Sequence, residues 1–172
     1  MEPVRGQAVV AGRLEDDVVV AWEGDRISYV GPARPGDPEA REEGYILPGL
    51  VDLHSHGGGG ASFPDATSID DVKRAAREHL RGGTTVLCAT MSTMELSRME
   101  FALGLLAQAC EEDLIEAVEI EGPFLSRDRC GAQNATYLLP PNVETADLLL
   151  DAACGRAWAM AVAPELTGAE EL

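Results

Sequence analysis

Between residues 46 and 162 the chain alternates between short apolar or β-branched runs and segments with helical periodicity. Strand-like runs begin at Ile46, Thr84, Ala117 and Ala157. Helix-like segments fall between them, over about 68–82, 95–110 and 143–154. This alternation predicts parallel strands joined by right-handed crossovers. Four such strands make either a small open sheet or half of a (β/α)₈ barrel. A complete barrel takes about 250 residues, and the sequence has 172. The local signals agree with the period. Ser68 stands where an N-cap is needed, Asp70 and Asp71 fall in the first turn, and Ile69, Val72, Ala76 and Leu80 share a helical face. Leu96, Met99, Leu103 and Leu106 do the same in the second helix.

Residues 1–45 read differently. Two β-branched runs, Val18-Val19-Val20-Ala21-Trp22 and Arg26-Ile27-Ser28-Tyr29-Val30, flank the turn Glu23-Gly24-Asp25, after the shorter apolar run at residues 8–12. A loop is expected over 33–43. A β-meander this small has open edges and little core, so it should pack on something else. Trp22 and Trp158 read as packing residues.

In parallel α/β folds functional groups gather at the carboxyl ends of strands. Here those ends carry His54 and His56, then Thr90, Glu121 and Glu165. The first is the run Asp52-Leu53-His54-Ser55-His56, closed by Gly57 to Gly60. On a strand, alternate residues share a face, so Asp52, His54 and His56 project together. The glycines let the backbone turn and leave the site open to a ligand. Two imidazoles with a carboxylate suit a borderline divalent ion such as zinc. Glu165 is expected to be structural or to act behind the ligands, and His79, late in a helix beside Glu78, to lie half-exposed on the surface. The glycine block lacks the Lys-Ser/Thr of a phosphate loop and the spacing of a dinucleotide fingerprint.

Composition narrows the partners. A net charge of −17 opposes nucleic acid and anionic membrane. An anionic substrate would therefore need a metal or a local cation. The four cysteines are scattered without a Cys-x-x-Cys pair, which predicts reduced, mostly buried thiols; Cys130 alone sits in a polar loop. No secretory pattern opens the chain and no apolar run nears the roughly 20 residues of a membrane helix, so a cytoplasmic location is expected.

Pro48-Gly49-Leu50-Val51-Asp52-Leu53-His54-Ser55-His56-Gly57 resembles the first barrel strand of the amidohydrolase superfamily. Glu121-Gly122-Pro123-Phe124-Leu125 is similar to the metal-binding strand of N-acetylglucosamine-6-phosphate deacetylases. Cys130-Gly131-Ala132-Gln133-Asn134 resembles that family's substrate loop, and Ala163-Pro164-Glu165 its next strand end. The resemblance implies an α/β fold: the first half of a (β/α)₈ barrel from residue 46 on, preceded over 1–45 by a β-sandwich portion. It implies hydrolysis of the N-acetyl group of N-acetylglucosamine 6-phosphate, giving glucosamine 6-phosphate and acetate, with Glu121, His54 and His56 holding one or two divalent ions, most simply Zn²⁺. Ala132 and Gln133 would lie against the sugar, and a homodimer is expected of the full-length protein. Two departures stand out. The family's loop histidine is replaced by Gln133, which donates a hydrogen bond but carries no charge. The family also takes two further histidines, its catalytic aspartate and a phosphate-binding arginine from later strands. No catalytic residue is therefore assigned here, and the 172 residues alone are expected to be inactive or nearly so. Another amidohydrolase acting on a cyclic amide or N-acyl substrate, or a non-catalytic metal-binding remnant, are the alternatives.

Overall fold

The computed structural model describes residues 3–40 and 44–172, so the end of the loop expected over 33–43 lies outside the described residues. The chain divides into two compact units, 1–48 and 49–172.

In the first unit, β1 (Val4–Val10), β2 (Arg13–Glu23) and β3 (Arg26–Pro32) form an antiparallel meander, and β4 (Tyr45–Ile46) joins β1 in parallel. Ala8, Val18 and Val19 are its buried side chains. Strand β2 starts well before its β-branched run. The added residues, Arg13 to Asp17, are exposed, with Arg13, Leu14 and Glu15 held by main-chain pairing, so they leave no apolar alternation to read. Arg5 grips the Asp17 carboxylate across the pair at 2.6 and 3.0 Å, and that guanidinium holds the Asp17 carboxyl below its usual range. The apolar run from Ile46 is not one strand. Tyr45 and Ile46 pair with Gln7 and Ala8. Pro48 has no N–H to give a ladder, and the barrel-type strand begins at Leu50.

The second unit runs β5 (Leu50–Ser55), a hairpin of β6 (Gly57–Gly58) and β7 (Ala61–Ser62), α1 (Ile69–Arg81), β8 (Thr84–Ser92), α2 (Leu96–Glu111), β9 (Ala117–Glu121), α3 (Val143–Ala152) and β10 (Ala157–Ala161). The four long strands are all parallel and ordered β10-β9-β8-β5. Each new strand is added on the same side as the last. That is the order in which a barrel begins; a doubly wound open sheet reverses direction.

The helices bury the faces their periodicity predicts, with one exception. Met99, Leu103 and Leu106 of α2 have no exposed surface. Truncating one such leucine to alanine costs about 2–5 kcal/mol. In α1 the buried face is Val72, Ala75 and Ala76, while Leu80 is 61% exposed. Ser68 occupies the N-cap, but its hydroxyl makes no cap bond to the helix. The Asp71 carboxylate instead accepts from the N–H and the hydroxyl of Thr67, both at 2.9 Å, and these bonds hold its carboxyl below the usual range. Strands β5 and β10 pair on one side only, and Leu50, Val51, Leu53 and Trp158 are exposed on them. Trp158 is thus no packing residue within this unit. No helix among the described residues is long and apolar enough to cross a membrane.

Cys88 and Cys110 are buried and Cys154 is exposed. Burial pushes the Cys110 thiol up to about 11, and pushes Cys88 up as well. Thiolate is the reactive form, so raising the pKa keeps both sulfurs inert at pH 8. A chromogenic disulfide reagent should therefore modify Cys154 in the native chain, and Cys88 and Cys110 only after denaturation. Fast labelling of Cys110 in the native chain would contradict this burial.

Candidate metal centre

Strand ends bring the candidate ligands together. His54 and His56, at the end of β5, meet Glu121, the last residue of β9; one ligand atom from each lies within 4.8 Å of the others. The two imidazoles stand edge to face, with centroids 4.9 Å apart. His56 Nε2 is 3.4 Å from Glu121 Oε2.

Both rings are anchored through Nδ1. His54 Nδ1 donates to Glu119 Oε2 at 2.6 Å. His56 Nδ1 lies 3.0 Å from Ser92 Oγ and 3.3 Å from the Thr90 carbonyl. A carbonyl only accepts, which assigns the His56 hydrogen to Nδ1. Each ring is left with a lone pair on Nε2, as a neutral imidazole ligand requires. Behind His54 the bonds continue. Thr90, with no exposed surface, donates to Glu119 Oε2 at 2.9 Å and accepts from the Ser55 N–H at 3.0 Å.

No local signal in the sequence marks Glu119. It lies two residues before Glu121 on one strand and so shares its face. A carboxylate behind a ligating histidine fixes the ring and raises its basicity. Glu119→Ala should weaken zinc binding by ~10–100-fold. A chelator-competition titration measures this, and unchanged affinity would remove Glu119 from the site.

Asp52 is not in the ligand group. Between Asp52 and Ser55 the strand carries an extra residue, since Asp52 lies opposite Leu87 and Ser55 opposite Ala89. The bulge breaks the alternation that would put Asp52 beside the histidines. Its carboxylate accepts from the His54 N–H at 3.2 Å and faces His79 Nδ1 at 3.6 Å.

His79 differs from the surface histidine expected. Its Nε2 is 3.0 Å from the Gly57 carbonyl and 3.0 Å from Ser55 Oγ. The ring thus ties α1 to the residues on both sides of His56, the Ser55 hydroxyl and the Gly57 carbonyl. The glycines beyond form the β6–β7 hairpin rather than an open gap. Gly57 has φ +131, and a Cβ there would fall 2.3 Å from the Ala61 carbonyl oxygen. Only glycine fits such an approach.

Of the remaining candidates, only Gln133 reaches the group. Glu165 is exposed, outside the ligand group. Ala132 is exposed in the loop after β9. Gln133, from the same loop, turns inward and donates to Glu121 Oε2 at 2.7 Å. A cavity of about 250 Å³ lies at the other end of the strands, lined by Thr84, Thr85, Ile115, Glu116 and Arg156 among others. Those residues begin the strands or precede them, so the cavity is separate from the ligand group. The donor set of two imidazoles and one carboxylate fits a borderline divalent ion.

Comparison with known proteins agrees with this arrangement. The N-acetylglucosamine-6-phosphate deacetylase of Bacillus subtilis (strain 168) is 33% identical over 154 residues, covering 81% of this chain and 38% of the relative. The imidazolonepropionase of an Arthrobacter species (strain FB24) is 31% identical over 176 residues, covering 92% of this chain and 43% of the relative. The crystal structure of N-acetyl-D-glucosamine-6-phosphate deacetylase from Mycobacterium smegmatis superposes with a TM-score of 0.84 at 30% identity, covering 98% of this chain and 45% of that one. A mutant of that enzyme has been solved in complex with N-acetyl-D-glucosamine-6-phosphate. The chain thus spans less than half the length of the proteins it matches. The amidohydrolase family model matches residues 45–168, and with the strand order and the His54–His56–Glu121 cluster already described, the chain belongs to the amidohydrolase family.

Proposed function

We propose that this chain supplies the first half of a metal-dependent deacetylase acting on an N-acetylated amino-sugar phosphate, in amino-sugar catabolism. The observation that carries the reading is the convergence of His54, His56 and Glu121 at the carboxyl ends of β5 and β9, in a chain similar to deacetylases of this class. His54 and His56 would hold a divalent ion, Zn²⁺ by its match to these donors, through Nε2, and Glu121 through its carboxylate. Such an ion, when bound, lowers the pKa of water and polarises an amide carbonyl. The chain's own residues do the positioning. Glu119 and Thr90 orient His54; Ser92 and the Thr90 carbonyl orient His56. Ala132 and Gln133, on the loop beside Glu121, are the sugar-side residues in this reading.

The chain's only other histidine, His79, is engaged with Ser55 and Gly57. On this reading residues outside the 172 complete the site and move the proton to the leaving amine. A second reading, a hydrolase of a cyclic amide, draws on the similarity to the imidazolonepropionase. One assay separates them. The chain is expressed with whatever coding sequence continues it in frame, and offered N-acetylglucosamine 6-phosphate, N-acetylgalactosamine 6-phosphate and imidazolonepropionate. Zinc-dependent acetate release from an acetylated sugar is expected. Turnover of the cyclic amide alone would replace the deacetylase reading. Robust acetate release by the 172 residues alone would refute the division of the site.

A further inference from the structure

The side-chain amide of Gln133 joins the loop after β9 to a candidate metal ligand. Its Nε2 donates to Glu121 Oε2 at 2.7 Å, and its Oε1 accepts from the Thr93 N–H at 2.9 Å. A carboxylate only accepts and a backbone N–H only donates, so the two contacts fix which end of the amide points where. Thr93 is buried, and its hydroxyl donates to the Glu121 carbonyl at 2.9 Å. Glu121 is thereby held at its main chain by Thr93 and at its carboxylate by Gln133. The same oxygen that takes the Gln133 hydrogen bond faces His56 Nε2 at 3.4 Å. Around Gln133 the loop is open: Arg127, Asp128, Arg129, Gly131 and Ala132 are all exposed.

We propose that Gln133 is a positioning residue coupling the order of the loop at 126–137 to occupancy of the His54–His56–Glu121 site. This rests on the metal reading above. An ion that fixes the Glu121 carboxylate also fixes the acceptor of the Gln133 hydrogen bond. The loop then has one orientation in which that bond can form. Linkage makes the effect reciprocal: whatever factor the ion contributes to ordering the loop, the ordered loop returns as affinity for the ion. Gln133 suits this role because it carries a donor and an acceptor on one rigid group. Leucine supplies neither, and glutamate would set a second carboxylate against Glu121.

The test is limited trypsin digestion of the 172-residue chain with and without Zn²⁺, read by mass spectrometry at Arg127 and Arg129. Cleavage at the exposed Arg81, at the end of α1, serves as reference. Zinc affinity is measured in parallel by chelator competition. In the wild type, saturating zinc should slow cleavage at Arg127 and Arg129 relative to Arg81. Gln133→Leu should bind zinc ~10–100-fold more weakly, and at saturating zinc its loop should still be cut at the metal-free rate. Zinc binding by the wild type with cleavage unchanged, or full protection retained in Gln133→Leu, would overturn the coupling alone. A wild-type chain that binds no zinc would overturn the metal reading and the coupling with it.

Discussion

Replacing Glu121 by alanine should lower the chain's zinc affinity by more than ~100-fold, beyond the ~10–100-fold expected for a residue that only supports a ligand. Metal-free stability should change little. The Glu121 carboxylate is half-buried, and its removal leaves one donor, Gln133 Nε2, without a partner. A hydrogen bond to a carboxylate is worth about 1.5–3 kcal/mol when buried and less where, as here, solvent reaches the acceptor. The contrast appears when zinc is added. At a zinc concentration 100 times the wild-type Kd, binding stabilises the folded chain by about 2.7 kcal/mol. A variant that binds 100-fold more weakly gains about 0.4 kcal/mol under the same conditions. Urea unfolding with and without zinc therefore gives two midpoints for the wild type and nearly one for Glu121→Ala. The accessible cysteines should be blocked first, because exposed Cys154 binds zinc on its own account as a thiolate. An equal zinc increment in both proteins would mean that Glu121 is not a ligand.

The second large effect is expected at Gly122. This residue follows Glu121 with φ +93, and a Cβ on it would fall 2.1 Å from Thr93 Oγ1. Alanine meets two penalties there. The backbone conformation costs about 1–3 kcal/mol for a non-glycine residue, and forcing a methyl into an occupied site costs about 1–3 kcal/mol more. Gly122→Ala should thus lose about 2–6 kcal/mol, against a total of about 5–15 for a typical domain. The damage reaches the site, because the Thr93 hydroxyl donates to the Glu121 carbonyl and the Thr93 N–H donates to Gln133 Oε1. Adding Thr93→Ala removes the collision but not the backbone penalty, so the double variant should recover only part of the loss. Full recovery would mean that the backbone is unstrained. An unchanged urea midpoint in Gly122→Ala would contradict the tight approach itself.

Much of this candidate site is legible in the sequence because its candidate ligands sit at the ends of strands whose local patterns are strong. Ala117 to Glu121 reads as a strand from its alternation, and His54, His56 and Glu121 follow from their places at strand ends. The amidohydrolase resemblance rests on the same residues. What escaped depends on distant partners. Glu119 is 65 positions from His54, and nothing local marks it as that ring's acceptor. His79 looks like a surface residue because its contacts come from β5 and the hairpin rather than its own helix. The displacement of Asp52 comes from a bulge defined only by register against β8. The β4 pair at Tyr45–Ile46 does not stand apart from the run that follows, since two residues carry no period. The exposed start of β2 shows the complementary limit: main-chain pairing needs no apolar pattern.

X-ray absorption at the zinc edge, on the cysteine-blocked chain loaded with one equivalent of Zn²⁺, tests the metal centre most directly. The expected spectrum shows two imidazoles at about 2.0–2.1 Å and carboxylate or water oxygen at about 2.0–2.2 Å. Replacing both His54 and His56 by alanine should abolish the imidazole contribution. A first shell of oxygen alone in the wild type, or imidazole scattering that survives the double replacement, would contradict the centre described here.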